Sequence, residues 1–109
     1  MLKPLALHIL LVLADGDSHG YAIMRAIREQ SAGEVSVHTA SFYRHLARLI
    51  DDGLVAEAAA RRQAVDPRRG ASYRITTRGR QALADEKQRL RQLVARFNRV
   101  RLTPRKADT

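Results

Sequence analysis

The hydrophobic and polar positions of the chain change period several times, and each change predicts an element. From Leu5 to Ala14 nearly every position is apolar, interrupted only by His8. Pro4 stands where a first helical turn tolerates a missing N–H, so this run predicts a helix that must be covered on most sides. A 109-residue domain can hardly surround such a helix, so the pattern calls for a second subunit. Asp15-Gly16-Asp17 reads as a turn and Ser18 as the N-cap of a second helix. In that helix Ile23, Met24 and Ile27 form an i, i+1, i+4 face, and Gly33 marks the stop.

A third helix is predicted from about Thr39 to just before Gly53. Its apolar positions Phe42, Leu46, Leu49 and Ile50 follow i, i+4, i+7, i+8, while Ser41, Arg44, His45 and Arg48 form a polar, cationic face. After Gly53 the period changes. Leu54 to Ala58 reads as a short strand weakened by alanines, and Ser72 to Thr76 alternates with Tyr73 and Ile75 on one face. Pro67 and Gly70 mark a turn between them, so the two runs predict a hairpin whose tip carries Arg61, Arg62, Arg68 and Arg69. A long last helix is expected from an N-cap near Thr77 to about Leu102. Leu83, Leu90 and Phe97 recur every seven residues, Leu93 and Val100 fill the alternate seam, and Glu86 breaks it. Pro104 to Thr109 reads as a disordered charged tail.

Composition narrows what this pattern can do. The chain has 20 Lys and Arg against 11 Asp and Glu, a formal charge of +9, and no cysteine. Disulfides, thiolate metal sites and thiol catalysis are therefore excluded, and a polyanionic partner is expected. The charge is uneven. Residues 1–53 hold five bases and six acids, whereas residues 54–109 hold fifteen bases and five acids. The apolar run at Leu5 is about half the length of a membrane span. Val12-Leu13-Ala14 only loosely resembles a signal cleavage site, so the expectation is a cytoplasmic protein without membrane association. His8, His19, His38 and His45 show no metal-ligand spacing, and no triad, phosphate loop or carboxylate pair is visible. No metal, no cofactor and no catalytic residue are expected.

Three helices followed by a hairpin is the order of a winged helix-turn-helix, giving a mainly α fold class with a small β-hairpin. The expected organisation is a DNA-binding domain at 1–76, a dimerisation helix at 77–102 and a tail at 103–109. In that arrangement the third helix enters the major groove and the hairpin lies against the backbone or minor groove. Ser41, Arg44, His45 and Arg48 are the candidates for base edges or flanking phosphates, with either arginine able to pair bidentately with guanine. Thr39 and Tyr43, near the helix start, can donate to phosphates, although Tyr43 could equally close the core beside Phe42. Arg61, Arg62, Arg68 and Arg69 are the wing's candidates for backbone contact without sequence reading. The last helix and the first both lack an intrachain cover, so the predicted assembly is a homodimer on double-stranded DNA of pseudo-palindromic sequence. Leu5, Ile9, Val12, Leu83, Leu90, Leu93, Phe97 and Val100 are the expected interface, with a monomer as the alternative. Two other functions compete with a sequence-specific repressor: an architectural binder indifferent to sequence, and a protein-interaction module using the basic last helix.

His19-Gly20-Tyr21-Ala22-Ile23-Met24 resembles the HGY-x-I signature of the PadR family of transcriptional regulators. So do Ser41-Phe42-Tyr43-Arg44-His45-Leu46-Ala47-Arg48-Leu49 and the following Asp52-Gly53-Leu54-Val55. Tyr73-Arg74-Ile75-Thr76-Thr77-Arg78-Gly79-Arg80 is similar to that family's strand leading into its final helix. The resemblance covers residues 5 to about 95 and implies a dimeric winged-helix repressor of the family's short form, with Tyr43 against the DNA and a small-molecule effector in some members. The chain departs from the family in two places. Thr39-Ala40 stand where Pro-Gly is often found, and there is no tryptophan to stack an aromatic effector. Phe97, Leu93 and His8 are candidates to line an interfacial pocket, and equally candidates for plain core.

Overall fold

The computed structural model describes residues 1–58 and 71–103. Its elements run α1 (Pro4–Asp15), β1 (Ser18–His19), α2 (Gly20–Gln30), α3 (Thr39–Asp51), β2 (Val55–Ala58), β3 (Ser72–Ile75) and α4 (Thr77–Arg99). The strands form one antiparallel sheet of order β1-β3-β2. Ser18 therefore pairs with Tyr73 as a strand residue, and His19 occupies the N-cap position of α2 that the sequence assigned to Ser18. The hairpin of two expected strands becomes a three-stranded sheet because the backbone between α1 and α2 lies along β3.

Helix α1 is the axis of the core. Leu5, Ile9, Leu10, Val12 and Leu13 are buried, and α2, α3, β3 and α4 all pack against it. This corrects the expectation that α1 needs a partner on most sides: its own chain covers Leu5, Ile9 and Val12. The open stripe consists of Leu11, exposed, and Leu7, half-buried. From α2 the core takes Ile23, Met24 and Ile27, from α3 Phe42, Leu46 and Leu49, and from the sheet Val55, Tyr73 and Ile75.

Helices α2 and α3 end in the same hydrogen-bonded turn. In α3 the amide of Leu54 donates to the Leu49 carbonyl and that of Gly53 to Ile50, with Gly53 at φ +78°. In α2 the amide of Gly33 donates to Arg28 and that of Ala32 to Glu29. Here two consecutive residues are left-handed, Ala32 at φ +52° and Gly33 at φ +79°, so the turn begins one residue before the glycine the sequence marks as the stop. An alanine there carries a steric cost that glycine lacks.

Helix α4 begins at a tight junction. The Thr76 hydroxyl donates to the Gly53 carbonyl at 2.6 Å and accepts the Gly79 amide at 3.0 Å, so the cap is Thr76, one residue before the predicted one. A Cβ on Gly79 would lie 2.2 Å from the Leu54 carbonyl oxygen and 2.7 Å from Ile75 Cγ1. Two turns on, Leu83 packs against the core, and buried Glu86 accepts the Leu2 amide at 2.7 Å and pairs with Arg89. Glu86 breaks the apolar seam because it ties the segment before α1 to α4. The Leu2 amide, then the Arg89 guanidinium, hold its carboxyl below the usual carboxylate range. Beyond Arg89 every described residue of α4 is exposed.

Two outcomes are expected from this packing. Gly79→Ala should destabilise the fold by about 3 kcal/mol or more, despite the higher helix propensity of alanine, whereas Ala32→Gly should stabilise it by about 1 kcal/mol. Urea unfolding midpoints measure both. Because the folded-state pKa of Glu86 is depressed, its contribution is complete above the unfolded value of about 4.3 and is lost as pH falls through the folded one. The gap in unfolding midpoint between the native chain and Glu86→Gln should therefore be full at pH 5–7 and close below about pH 4.

Candidate nucleic-acid interface

Helix α3 turns Phe42, Leu46 and Leu49 inward, which leaves Thr39, Ala40, Tyr43, Arg44, Ala47, Arg48, Asp51 and Asp52 exposed. Of the four residues expected on its outer face, the structure brings Arg44 and Arg48 fully outward. Ser41 and His45 sit half-buried on the flank, where His45 Nδ1 donates to the Ser41 carbonyl at 2.8 Å. That bond fixes the ring and leaves Nε2 as its outward group. Sequence reasoning missed Ala40 and Ala47. They lie beside Arg44 on the exposed surface, and their small side chains keep this side of the helix low enough to approach another surface closely. Alanines spaced among the arginines of the polar face were the available signal.

Arg48 is not free. Its Nε lies 3.5 Å from Asp52 Oδ2, one turn on, with the two side chains 81% and 52% exposed. Such an exposed i, i+4 pair is worth only about 0.3–0.5 kcal/mol, so a stronger anion can take the guanidinium. Arg44 has no such partner among the described residues. Together with His45, Arg48, Leu49 and Asp52 it lines a groove of about 570 Å³ that Met1, Leu2, Lys3 and Ala6 also line.

Tyr43 answers the alternative left open by the sequence. Its ring meets Phe42 edge-on, centroids 5.0 Å apart, yet 44% of it is exposed. The ring lies across the first residue of α2, where a Cβ on Gly20 would stand 2.6 Å from the Tyr43 hydroxyl. The glycine of the His19-Gly20-Tyr21 motif thus makes room for the tyrosine of α3, and Tyr21, 65% exposed, stands next to it. Tyr73, inside the sheet, stays protonated: burial raises its pKa first, then Glu57, its partner in register on β2. Thr39 is exposed at the first turn of α3. Arg61, Arg62, Arg68 and Arg69 lie outside the described residues.

The expected dimer residues divide. Leu5, Ile9 and Val12 belong to the chain's own core, and Leu83 is half-buried against it. Leu90, Leu93, Phe97 and Val100 are exposed, and so is Val94 at 55%, which the seven-residue count passed over. Val94 stands eleven residues after Leu83, a spacing that returns to the same side of a helix. With Leu7 and Leu11 of α1, this side of α4 encloses an apolar groove of about 610 Å³ bordered by Lys87 and Arg91.

A model of the transcriptional regulator PadR-like family matches residues 9–85. The chain belongs to the PadR-like family. It is a transcriptional regulator rather than an enzyme, with the winged-helix fold. Its fold is similar to that of a PadR family transcription regulator from Clostridium difficile, with a TM-score of 0.76 at 24% identity, covering 89% of this chain and 97% of that one. A PadR-like transcriptional regulator from Bacillus cereus gives 0.73 at 21% identity, covering 92% and 93%. Bacillus subtilis PadR in complex with operator DNA gives 0.67 at 23% identity, covering 94% of this chain and half of that one. Comparison with curated proteins returned no match. Among the described residues of this PadR-like chain, no group of metal-ligating side chains gathers and no helix is long and apolar enough to cross a membrane.

The Arg48–Asp52 pair generates a prediction. Asp52→Asn frees the guanidinium and removes a negative charge beside it, so binding to duplex DNA should tighten about two- to fivefold in a low-salt titration.

Proposed function

We propose that this regulator is a cytoplasmic homodimeric repressor that lays α3 of each subunit in the major groove of a pseudo-palindromic operator. The observation that carries the reading is the outer face of α3: Arg44 and Arg48 exposed among the small side chains of Ala40 and Ala47, on a helix whose opposite face is locked in the core. A long guanidinium beside low neighbours reaches a base edge while the helix sits deep in the groove. In this reading Tyr43 and Thr39, exposed at the N-terminal half of α3, donate to phosphates. That Bacillus subtilis PadR, of similar fold, forms a complex with operator DNA supports duplex DNA as the partner.

The second copy follows from the other end of the molecule. Leu11, Leu90, Leu93, Val94, Phe97 and Val100 form a bare apolar surface on α1 and α4. Water-exposed leucines and phenylalanine in such density are the mark of an interface. A second copy related by a two-fold axis covers the stripe with itself, as a closed dimer requires. An apolar effector of the regulator has its place in whatever part of the groove the second copy leaves open.

One set of measurements tests both halves. Sedimentation should give a dimer, and Val94→Glu with Phe97→Glu should give a folded monomer that has lost most operator affinity. Arg44→Ala with Arg48→Ala should reduce the preference for the upstream region of the chain's own gene over a scrambled duplex by about 10- to 100-fold. Much of the scrambled-duplex affinity should remain. Equal binding to both duplexes by the unaltered chain at about 150 mM salt, together with an equal response to that double substitution, would mark an architectural binder instead.

A further inference from the structure

The three residues before α1 are held in place by a contact from the far end of the sequence. The Leu2 amide donates to Glu86 Oε2 at 2.7 Å, and Glu86 pairs in turn with Arg89 on its own helix. The Glu86 carboxylate is buried, and only 4% of the residue is exposed. A buried carboxylate spent on a backbone amide 84 residues away fixes a segment that would otherwise fray.

What it fixes is Lys3. This lysine occupies the N-cap position of α1, makes no capping hydrogen bond and is exposed. A cation at a helix N-terminus opposes the helix dipole, and lysine is not among the residues that cap. The side chain therefore does nothing for α1. It lines the same groove as Arg44, His45 and Arg48 of α3. Three permanent cations, Lys3, Arg44 and Arg48, share that groove with one carboxylate, Asp52, which is already paired with Arg48. Gathering like charges costs free energy in the unbound protein, and a polyanion laid over the groove relieves it.

We propose that Lys3 contacts the DNA backbone beside the bases faced by α3, and that Glu86 is the positioning residue that holds it there through the Leu2 amide. This rests on the DNA-binding reading above and adds to it a contact from outside the helix-turn-helix. The assignment also links α4 to the DNA surface: one side chain of the last helix sets the position of a cation at the groove.

A phosphate contact has a signature that a folding role lacks. The slope of log affinity against log salt becomes shallower by about 0.9 for each phosphate that the protein no longer neutralises, on any sequence. Duplex binding by the dimeric full chain is titrated from about 50 to 200 mM salt, on the upstream duplex and on a scrambled one. Lys3→Ala, which removes one such contact from each subunit of the dimer, should make the slope shallower by about 1.8 on both duplexes and leave their affinity ratio unchanged. Glu86→Gln, at neutral pH and with its folded fraction checked by circular dichroism, should lower the slope in the same direction. The double variant should be no worse than Lys3→Ala alone, because the two act through one contact. An unchanged slope in Lys3→Ala overturns the assignment of the lysine. A Glu86→Gln effect that adds fully to that of Lys3→Ala overturns the positioning role. Failure of the unaltered chain to bind any duplex would overturn the DNA-binding reading, and this inference with it. Binding that is abolished in Arg44→Ala with Arg48→Ala but unmoved in Lys3→Ala leaves that reading standing and removes only the contact proposed here.

Discussion

The Thr76 hydroxyl is the point on which the arrangement of this molecule turns. It gives its proton to the Gly53 carbonyl and takes the Gly79 amide, so the end of α3, the end of β3 and the start of α4 meet within reach of one side chain. The Thr76 amide adds a bond to the Leu54 carbonyl, and that same carbonyl lies where a Cβ of residue 79 would be. Three elements from different parts of the chain are thus closed on one another by backbone groups and one short polar side chain. Helix α3 cannot rotate about its axis without breaking this junction, so the outward direction of Arg44 and Arg48 is fixed from the C-terminal end of their helix.

The N-terminal end of α3 is fixed by shape instead. Phe42 fills the core while its neighbour Tyr43 lies against Gly20, and α2 can start there only because its first residue has no side chain. The two residues of α3 that face inward and sideways at this end therefore set the angle between α2 and α3. A hydrogen-bonded junction at one end and an aromatic wedge at the other is a stiff mounting for a helix that turns two guanidinium groups outward.

Much of this could be read from the sequence, and what could not has physical reasons. The period of α3 and the separation of its greasy and cationic faces were legible because one helix face is wholly core. Ser41 and His45 fit the same period but lie half-buried, and the His45 ring bonds the Ser41 carbonyl, a local hydrogen bond that residue type does not announce. Ser18 looked like a cap because its strand partner, Tyr73, lies far along the chain. The apolar run of α1 reads identically whether its cover comes from the same chain or another, and the structure shows Leu5, Ile9 and Val12 already enclosed. Glu86 stood out in the sequence as a flaw in a seam. Its partner is a backbone amide, Leu2, which no side-chain pattern encodes. The signature residues that resemble the family sit where chemistry is tight: Gly20 under Tyr43, Gly53 in a left-handed turn, Thr76 and Gly79 at the junction.

Helix α4 is one rod with two environments. Its first turns are bonded to the body through Gly79, Leu83 and Glu86, and from Leu90 onward it stands bare. Because the rod is unbroken over its 23 residues, the compass bearing of the bare apolar stripe is set by the residue count from the junction, at about 100° per residue. Inserting a single residue between Arg89 and Leu90 would swing that stripe by more than a quarter turn relative to α3, with the bonded first turns unchanged. The separation and relative heading of two α3 helices in an assembly built on this stripe would therefore be stored as a phase in the length of a helix, apart from the residues that α3 exposes.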